Sequence, residues 1–184
     1  MIIPCKFKTF RDSLRAGCEI FHSLKNLLIN KNYSVSVGDE GGFAPNFQSN
    51  KECLDFIIKS IEKTNYKPGV DVFIAIDVAS SEFYKDHKYI LKSEKLELST
   101  DQMIDYYKNL IKSYPILSIE DGLDENDWDG WNKMNSQIGN KCQLVGDDLF
   151  VTSVDRLKKG IQEECANSIL IKPNQIGTLS ETID

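Results

Sequence analysis

The sequence has little of what marks several large classes of protein. It contains no run of lysine or arginine, and the net charge of its 184 residues is -6 at pH 7. Because proteins that bind the nucleic-acid backbone carry a clustered basic surface, no nucleic-acid partner is predicted. No apolar run approaches the roughly 20 residues that a membrane span needs, and the first ten residues lack the apolar core of a signal peptide. We therefore predict a cytoplasmic protein without a membrane span.

Cysteine and histidine give no sign of a metal or disulfide framework. The five cysteines include no C-x-x-C pair, and their odd number argues against both a disulfide scaffold and a zinc ribbon. Cys53, Cys142 and Cys165 lie in or beside apolar segments and are predicted to be buried. The only two histidines, His22 and His87, fall in a helical pattern and in a predicted turn, so neither is predicted to bind a metal.

Short apolar stretches rich in β-branched residues recur along the chain and predict buried strands. They lie at residues 34–37, 72–76, 116–119, 143–145 and 168–171, with residues 1–4 as a sixth candidate. Helical patterns fill the intervals, and capping-box signatures mark helix starts at Thr9, Ser49 and Ser99. This alternation predicts βα units around a parallel sheet, and leaves open a barrel or a doubly wound sheet.

Two places depart from the alternation. Residues 81–92 predict a hairpin with its turn at Asp86 and His87. Near the end, Thr178 and Glu181 give a last capping box just before the final residue. Five or six strands fall short of the eight that close a (β/α)₈ barrel, so we expect the chain to be truncated, and no internal domain boundary is predicted.

Each predicted strand runs into a charged residue at its carboxyl end. These residues are Glu40, Asp77, Glu120, Asp147 and Lys172. Taken singly, such a carboxylate more often caps the next helix or lies in a solvated turn. In a parallel barrel, however, the carboxyl ends of all strands converge on the face that carries the chemistry. Asp77, Glu120 and Asp147 would then form a hard oxygen set that suits Mg²⁺, with Lys172 as a candidate general base rather than a surface lysine.

Five longer motifs are similar to those of enolases. They are VGDEGGFAPN (37–46), IDVASSEFY (76–84), SIEDGLDENDWDGW (118–131), LVGDDLFVT (144–152) and ILIKPNQIGTLSET (169–182). Their order and spacing extend over almost the whole chain, which makes them far more specific than one short pattern. The Gly-Leu pair that follows Asp121 resembles bacterial-type enolases. The resemblance implies an α/β fold in which residues 1–184 form part of the (β/α)₈ TIM-type barrel of the enolase C-terminal domain. The N-terminal domain and the last barrel strands would lie outside this chain.

The resemblance also implies an activity and a set of site residues. The full-length protein would be a phosphopyruvate hydratase, a lyase of glycolysis that dehydrates 2-phosphoglycerate to phosphoenolpyruvate through an enediolate stabilised by Mg²⁺. Asp77, Glu120 and Asp147 are the implied Mg²⁺ ligands, Lys172 the base and Glu40 the acid. Glu120, Asp147 and Lys172 are also implied to contact the substrate.

Further expectations concern partners and alternatives. By resemblance, the full-length protein would form a homodimer or higher homo-oligomer, and a cell-surface or secreted pool would accompany the cytoplasmic one. The isolated chain is expected to be inactive, because segments that hold the substrate are absent from it. Two other functions stay open at this point: a different Mg²⁺-dependent enolisation, and a non-enzymatic role as an interaction fragment or in surface adhesion.

Overall fold

The computed structural model describes all residues from 1 to 184. The chain forms two compact units, one of residues 2–74 and one of residues 75–184 together with Met1. No helix combines the length and the apolar character that crossing a membrane requires.

The unit of residues 2–74 contains two long helices and an antiparallel strand pair. Strand β1 is Ile2–Pro4, helix α1 is Phe10–Asn30, helix α2 is Asn50–Lys63, and strand β2 is Val72–Asp77, whose first half lies in this unit. β1 pairs with β2 in antiparallel register, so the sixth strand candidate is confirmed. The predicted caps are confirmed as well, because the Thr9 and Ser49 hydroxyls accept backbone N–H groups at the starts of α1 and α2.

The core of this unit lies between the two helices and the strand pair. Ile20 of α1, Ile61 of α2 and Val72 of β2 are buried together. Partly buried side chains pack against them, and Tyr66 also donates its hydroxyl to Glu19 at 2.6 Å. Cys53 on α2 is only half-buried, which is less than the sequence predicts.

Residues 34–37, predicted as a strand, do not form one. Only Val37 makes a β-bridge, and its partner is Phe43, six residues further on. The N–H of Gly38 donates to the carbonyl of Gly42 at 2.9 Å, so the backbone folds back on itself in a tight loop. A strand requires a neighbouring backbone to pair with, and this segment pairs locally instead. The strand prediction is therefore wrong, and the loop that replaces it carries Glu40.

Residues 84–98 form a small three-stranded antiparallel sheet. Its strands are β3 (Tyr84–Lys85), β4 (Lys88–Leu91) and β5 (Leu96–Leu98). Asp86 and His87 have φ values of 50° and 60°, and they connect β3 to β4 in the two-residue turn that the sequence predicts. Strand β5 was not predicted, because three residues give too little alternation to detect.

The unit of residues 75–184 is organised around a sheet in which β2 is followed by β6, β7 and β8. Helix α3 (Thr100–Ser113) precedes β6 (Ile116–Glu120), α4 (Trp128–Ile138) precedes β7 (Gln143–Gly146), and α5 (Val154–Gln162) precedes β8 (Ser168–Ile169). β6 pairs in parallel with β7, and β7 in parallel with β8. The predicted alternation of strands and helices around a parallel sheet is thus confirmed here.

The end of the chain is more helical than predicted. β8 has only two residues, although the Leu170 N–H still donates to the Gly146 carbonyl at 3.1 Å. Two short helices follow, α6 (Pro173–Ile176) and α7 (Leu179–Ile183). Pro173 is the first residue of α6, a position where its missing N–H costs nothing. α7 begins after the predicted cap, with the Thr178 hydroxyl accepting the Glu181 N–H.

The core of this unit is built from side chains of the helices and strands around β6 and β7. Trp131 on α4 and Tyr107 on α3 are almost completely buried. Their polar atoms are satisfied, since the indole N–H donates to the Asp124 carbonyl at 3.1 Å and the phenol to the Gly122 carbonyl at 2.6 Å. Cys142 and Cys165 are buried, as predicted, and burial raises the pKa of each thiol to about 11. These thiols therefore behave as small apolar groups and not as nucleophiles.

Candidate active site

Four of the five candidate residues lie at the carboxyl ends of the strands of the second unit. Asp77 is the last residue of β2, Glu120 is the last residue of β6, and Asp147 directly follows β7. Lys172 lies three residues beyond β8 and immediately before α6. The register of the parallel strands places Glu120 opposite Val145, two residues before Asp147. Residues that are far apart in the sequence are therefore close together in space.

The carboxylates form two overlapping clusters. Asp77, Glu120 and Asp121 each offer an oxygen within 4.8 Å of the others, and so do Asp121, Asp147 and Asp148. Asp121 belongs to both clusters. The three predicted metal ligands therefore do not share one cluster: Asp77 and Glu120 belong to the first, Asp147 belongs to the second, and Asp121 links the two.

Asp147 is the most enclosed of the three predicted ligands, with 5% of its surface exposed. The Lys172 ammonium donates a hydrogen bond to its Oδ2, and the amide Nε2 of Gln175 donates to its Oδ1 at 2.7 Å. The candidate base and a candidate metal ligand are therefore in direct contact.

Asp121 supports the loop that carries Asp147. One of its carboxylate oxygens accepts the Asp147 N–H at 3.0 Å and the other accepts the Asp148 N–H at 2.8 Å. Asp121 is 5% exposed, and burial is the main cause that raises its pKa to about 6, against the lowering effect of these two N–H groups. Both oxygens of Asp121 therefore accept hydrogen bonds from backbone N–H groups, which distinguishes Asp121 from the neighbouring carboxylates.

The charges of the two carboxylate clusters favour the binding of a cation. Desolvation raises the pKa of Glu120 to about 7, and the negative charges of Asp77 and Asp147 add to the effect. The pKa of Asp77 is raised as well, again mainly by desolvation. In Lys172 the hydrogen bond to Asp147 raises the pKa, which favours the ammonium form. The carboxylates outnumber the one lysine beside them, so the region carries uncompensated negative charge.

The donor chemistry fits Mg²⁺. Every candidate ligand atom in the two clusters is a carboxylate oxygen, and hard oxygen ligands are what Mg²⁺ prefers over softer nitrogen and sulfur donors. A divalent cation would also relieve the repulsion that raises the pKa of Glu120. The residues present are therefore compatible with the metal that the sequence predicts.

Unusual backbone conformations occur just beyond the strand ends. Ala79, Asp121, Val151 and Thr152 have φ values of 46°, 43°, 43° and 54°, in the left-handed region that disfavours side chains. Such positions cost about 1–3 kcal/mol each and persist only when their surroundings hold them, as at functional sites. Here the Val78 N–H donates to the Glu120 carbonyl at 2.9 Å, and the Ser80 hydroxyl donates to the Asp121 carbonyl at 2.8 Å. Hydrogen bonds thus link the loop after β2 to the loop after β6.

Glu40 is the one candidate that belongs to the other compact unit. It is exposed and lies in the tight loop between Val37 and Phe43. Its role as the acid stays a prediction.

Four residues of this region were missed by the sequence analysis. They are Asp121, Asp148, Thr152 and Gln175. The signal for the first two was the doubling of the acidic residue after β6 and β7, since Asp121 follows Glu120 and Asp148 follows Asp147. Gln175 had a weaker signal, its place three residues after Lys172 on the same short segment.

The fold and the site together define a class of protein. A carboxylate cluster at the carboxyl ends of parallel strands, with a lysine in contact with it, is typical of metal-dependent α/β-barrel enzymes. The family model described as "Enolase, C-terminal TIM barrel domain" matches residues 1–184. A protein named enolase from Natranaerobius thermophilus is 57% identical over 184 residues, which cover all of this chain and 43% of that relative. The chain belongs to the enolase C-terminal TIM barrel domain family, and the predicted fold class is confirmed. It spans less than half the length of this relative.

Proposed function

We propose that this chain supplies the metal ligands and the base of an enolase that, as the full-length protein, dehydrates 2-phosphoglycerate to phosphoenolpyruvate. The observation that carries the proposal is the contact between Lys172 and Asp147 within the acidic region that also contains Asp77 and Glu120. In this proposal the enzyme is a phosphopyruvate hydratase of cytoplasmic glycolysis and acts as a homo-oligomer.

Lys172 is the proposed base that removes the proton from carbon 2 of the substrate. A base must be neutral before it accepts a proton, whereas the hydrogen bond from Lys172 to Asp147 raises the pKa of Lys172. The ammonium therefore has to lose both its proton and this contact. Mg²⁺ held by Asp77, Glu120 and Asp147 would supply positive charge that lowers the pKa of Lys172 and makes the proton on carbon 2 more acidic.

Glu40 is the proposed acid for the second half of the reaction. The 3-hydroxyl of the substrate is a poor leaving group, and a carboxylic acid can protonate it as the carbon–oxygen bond breaks. Electrons left on carbon 2 then form the double bond of phosphoenolpyruvate, and the hydroxyl leaves as water.

The decisive experiment uses the full-length protein with Asp77→Asn, Glu120→Gln and Asp147→Asn substitutions. Asn and Gln retain size but remove the charge, so Mg²⁺ affinity and phosphoenolpyruvate formation should both fall. Excess Mg²⁺ should restore part of the turnover. Asp105→Asn is the matched control, because Asp105 is an exposed residue paired with Lys108 on α3 and such surface pairs contribute little.

Two results would contradict the proposal. One is a wild-type protein that binds Mg²⁺ but dehydrates no 2-phosphoglycerate while it enolises another 2-hydroxy acid, which would favour a different enolisation. The other is normal Mg²⁺ affinity and turnover in all three variants, which would place the metal elsewhere.

A further inference from the structure

Four residues at the edge of the candidate site form a closed ring of hydrogen bonds. The backbone N–H of Lys172 donates to the Thr152 hydroxyl at 2.9 Å, and that hydroxyl donates to Oε1 of Gln175 at 2.8 Å. Nε2 of Gln175 donates to Oδ1 of Asp147 at 2.7 Å, and the Lys172 ammonium donates to Oδ2 of Asp147. The ring therefore joins Lys172, the candidate base, to Asp147, a candidate metal ligand, through Thr152 and Gln175.

Asp147 and Thr152 together hold the Gln175 amide in one orientation. The Asp147 carboxylate only accepts hydrogen bonds, so the NH₂ end of the amide faces it. The carbonyl end of the amide then faces Thr152, whose hydroxyl accepts the Lys172 N–H and donates its one proton to Oε1 of Gln175. With the amide reversed, its oxygen would face the Asp147 carboxylate and the contact with Asp147 would be lost.

Thr152 is well placed to hold this orientation. It is 7% exposed, and its backbone has a φ of 54°, a conformation that a β-branched residue rarely adopts. The neighbouring hydrogen bond from the Ser153 N–H to the Phe150 carbonyl, at 2.8 Å, closes the turn around it. The hydroxyl therefore comes from a fixed part of the loop.

We propose that Gln175 and Thr152 are positioning residues for the metal-binding carboxylate of Asp147: Thr152 supports the Gln175 amide, and Gln175 holds Oδ1, so that a cation which displaces the Lys172 ammonium finds Oδ2 already oriented. This inference rests on the proposed function, since it assigns Asp147 to the metal. Partners that orient a metal ligand commonly contribute on the order of 10- to 100-fold to metal affinity. A residue that merely packs α6 against the sheet would contribute to stability alone.

The test measures Mg²⁺ binding by calorimetry in the full-length protein, without substrate, for Gln175→Met, Thr152→Val and the double variant. Met and Val nearly preserve size and remove the polar group. Each single variant should weaken Mg²⁺ binding by about 10- to 100-fold. The double variant should be no weaker than the worse single one, because both substitutions break the same ring.

Two controls separate positioning from folding. Thr152→Ser keeps the hydroxyl and should bind Mg²⁺ nearly as well as the wild type. Gln162→Met removes an exposed amide at the end of α5 and should change nothing. Thermal unfolding in the presence of EDTA reports the fold without metal. Thr152→Val should lower the melting temperature, because the Lys172 N–H loses its acceptor, but should still unfold cooperatively. If Gln175→Met does not fold, the Thr152→Val and Thr152→Ser pair decides the question alone.

The proposal is overturned if Gln175→Met and Thr152→Val bind Mg²⁺ like the wild type, whatever their melting temperatures. It is also overturned if their effects on the logarithm of the dissociation constant simply add. A wild-type protein that binds Mg²⁺ but does not dehydrate 2-phosphoglycerate would contradict the proposed function instead, and the binding comparison would still test the ring.

Discussion

Glu120 and Asp121 are adjacent in sequence, yet their carboxylates have different surroundings. The Asp121 carboxylate accepts two backbone N–H groups from the loop after β7, whereas the Glu120 carboxylate lies among Asp77, Asp147 and Asp121 with only Lys172 to offset their charge. One neighbour therefore holds a loop in place, and the other is available to a cation. Substitution of Asp121 should therefore affect the stability of the loop, and substitution of Glu120 should affect cation binding.

Asp121→Asn should lower the free energy of unfolding of the full-length protein. The Asn amide has one accepting oxygen, so one of the two loop N–H groups faces an NH₂ group and loses its partner. An unsatisfied buried donor costs about 1–3 kcal/mol. Urea denaturation followed by circular dichroism measures the change, and Mg²⁺ affinity should fall with it because the loop carries Asp147.

The matched control for that substitution is Asp71→Asn. Asp71 also accepts a backbone N–H, from Lys67 at 2.9 Å, but at an exposed position where water can replace the contact. An equal loss of stability in the two variants would contradict the supporting role assigned to Asp121.

Mg²⁺ binding should strengthen as the pH rises from about 6 to about 8. Desolvation raises the pKa of Glu120 to about 7, so near neutral pH a Mg²⁺ ion must displace a proton from part of the population. Calorimetry in buffers with different ionisation enthalpies measures the released fraction. The release near pH 7 should disappear in Glu120→Gln, and an unchanged release in that variant would refute the assignment.

The raised pKa of Glu120 also predicts how the stability of the metal-free protein changes with pH. The folded pKa of Glu120 lies above its ordinary value of about 4.3, so the folded state binds the proton more tightly than the unfolded state does. Its stabilising contribution is complete below about pH 4 and is lost as the pH rises through about 7. Saturating Mg²⁺ should reduce this loss, since the metal compensates the ionised carboxylate.

Lys172→Ala and Glu40→Gln should separate the two halves of the reaction in the full-length enzyme. Without Lys172 no base remains for carbon 2, so exchange of that proton with deuterated solvent should fall by about 100- to 10,000-fold, the usual contribution of a general base. Glu40→Gln should keep the exchange while product formation falls. Nuclear magnetic resonance follows the exchange, and equal exchange in both variants would contradict the assigned roles.

Local signals account for much of what the sequence predicted correctly. A helix start depends on residues three positions apart, such as Ser99 and Gln102, whose reciprocal hydrogen bonds are present. A two-residue hairpin turn likewise depends on neighbours, as at Asp86 and His87. The placement of Asp77, Glu120 and Asp147 followed from one further rule, that parallel strands end on the same face.

Contacts between distant residues account for what the sequence did not predict. Asp121 bonds to a residue 26 positions away, and Gln175 to one 28 positions away, distances at which no short pattern pairs a donor with an acceptor. The strand predicted at residues 34–37 failed for the related reason that pairing depends on a neighbour, and its apolar alternation carries no information about that neighbour.

Residues 1–184, produced alone, should have no enolase activity and should unfold without a sharp transition. Strand β8 lies at the end of the sheet order, and an edge strand presents backbone N–H and C=O groups without partners in the sheet. Large apolar side chains are open to solvent on several helices, including Phe10 at 81%, Ile161 at 69% and Ile183 at 75%. Such exposed surface favours association with other chains. Catalysis further needs groups that hold the phosphate and exclude water, and the matched relative is more than twice as long as this chain.

The experiment compares this segment with the full-length protein by phosphoenolpyruvate formation at saturating Mg²⁺ and by differential scanning calorimetry. A broad melt or aggregation without turnover is expected, whereas a cooperative transition with turnover near that of the full-length protein would refute the prediction.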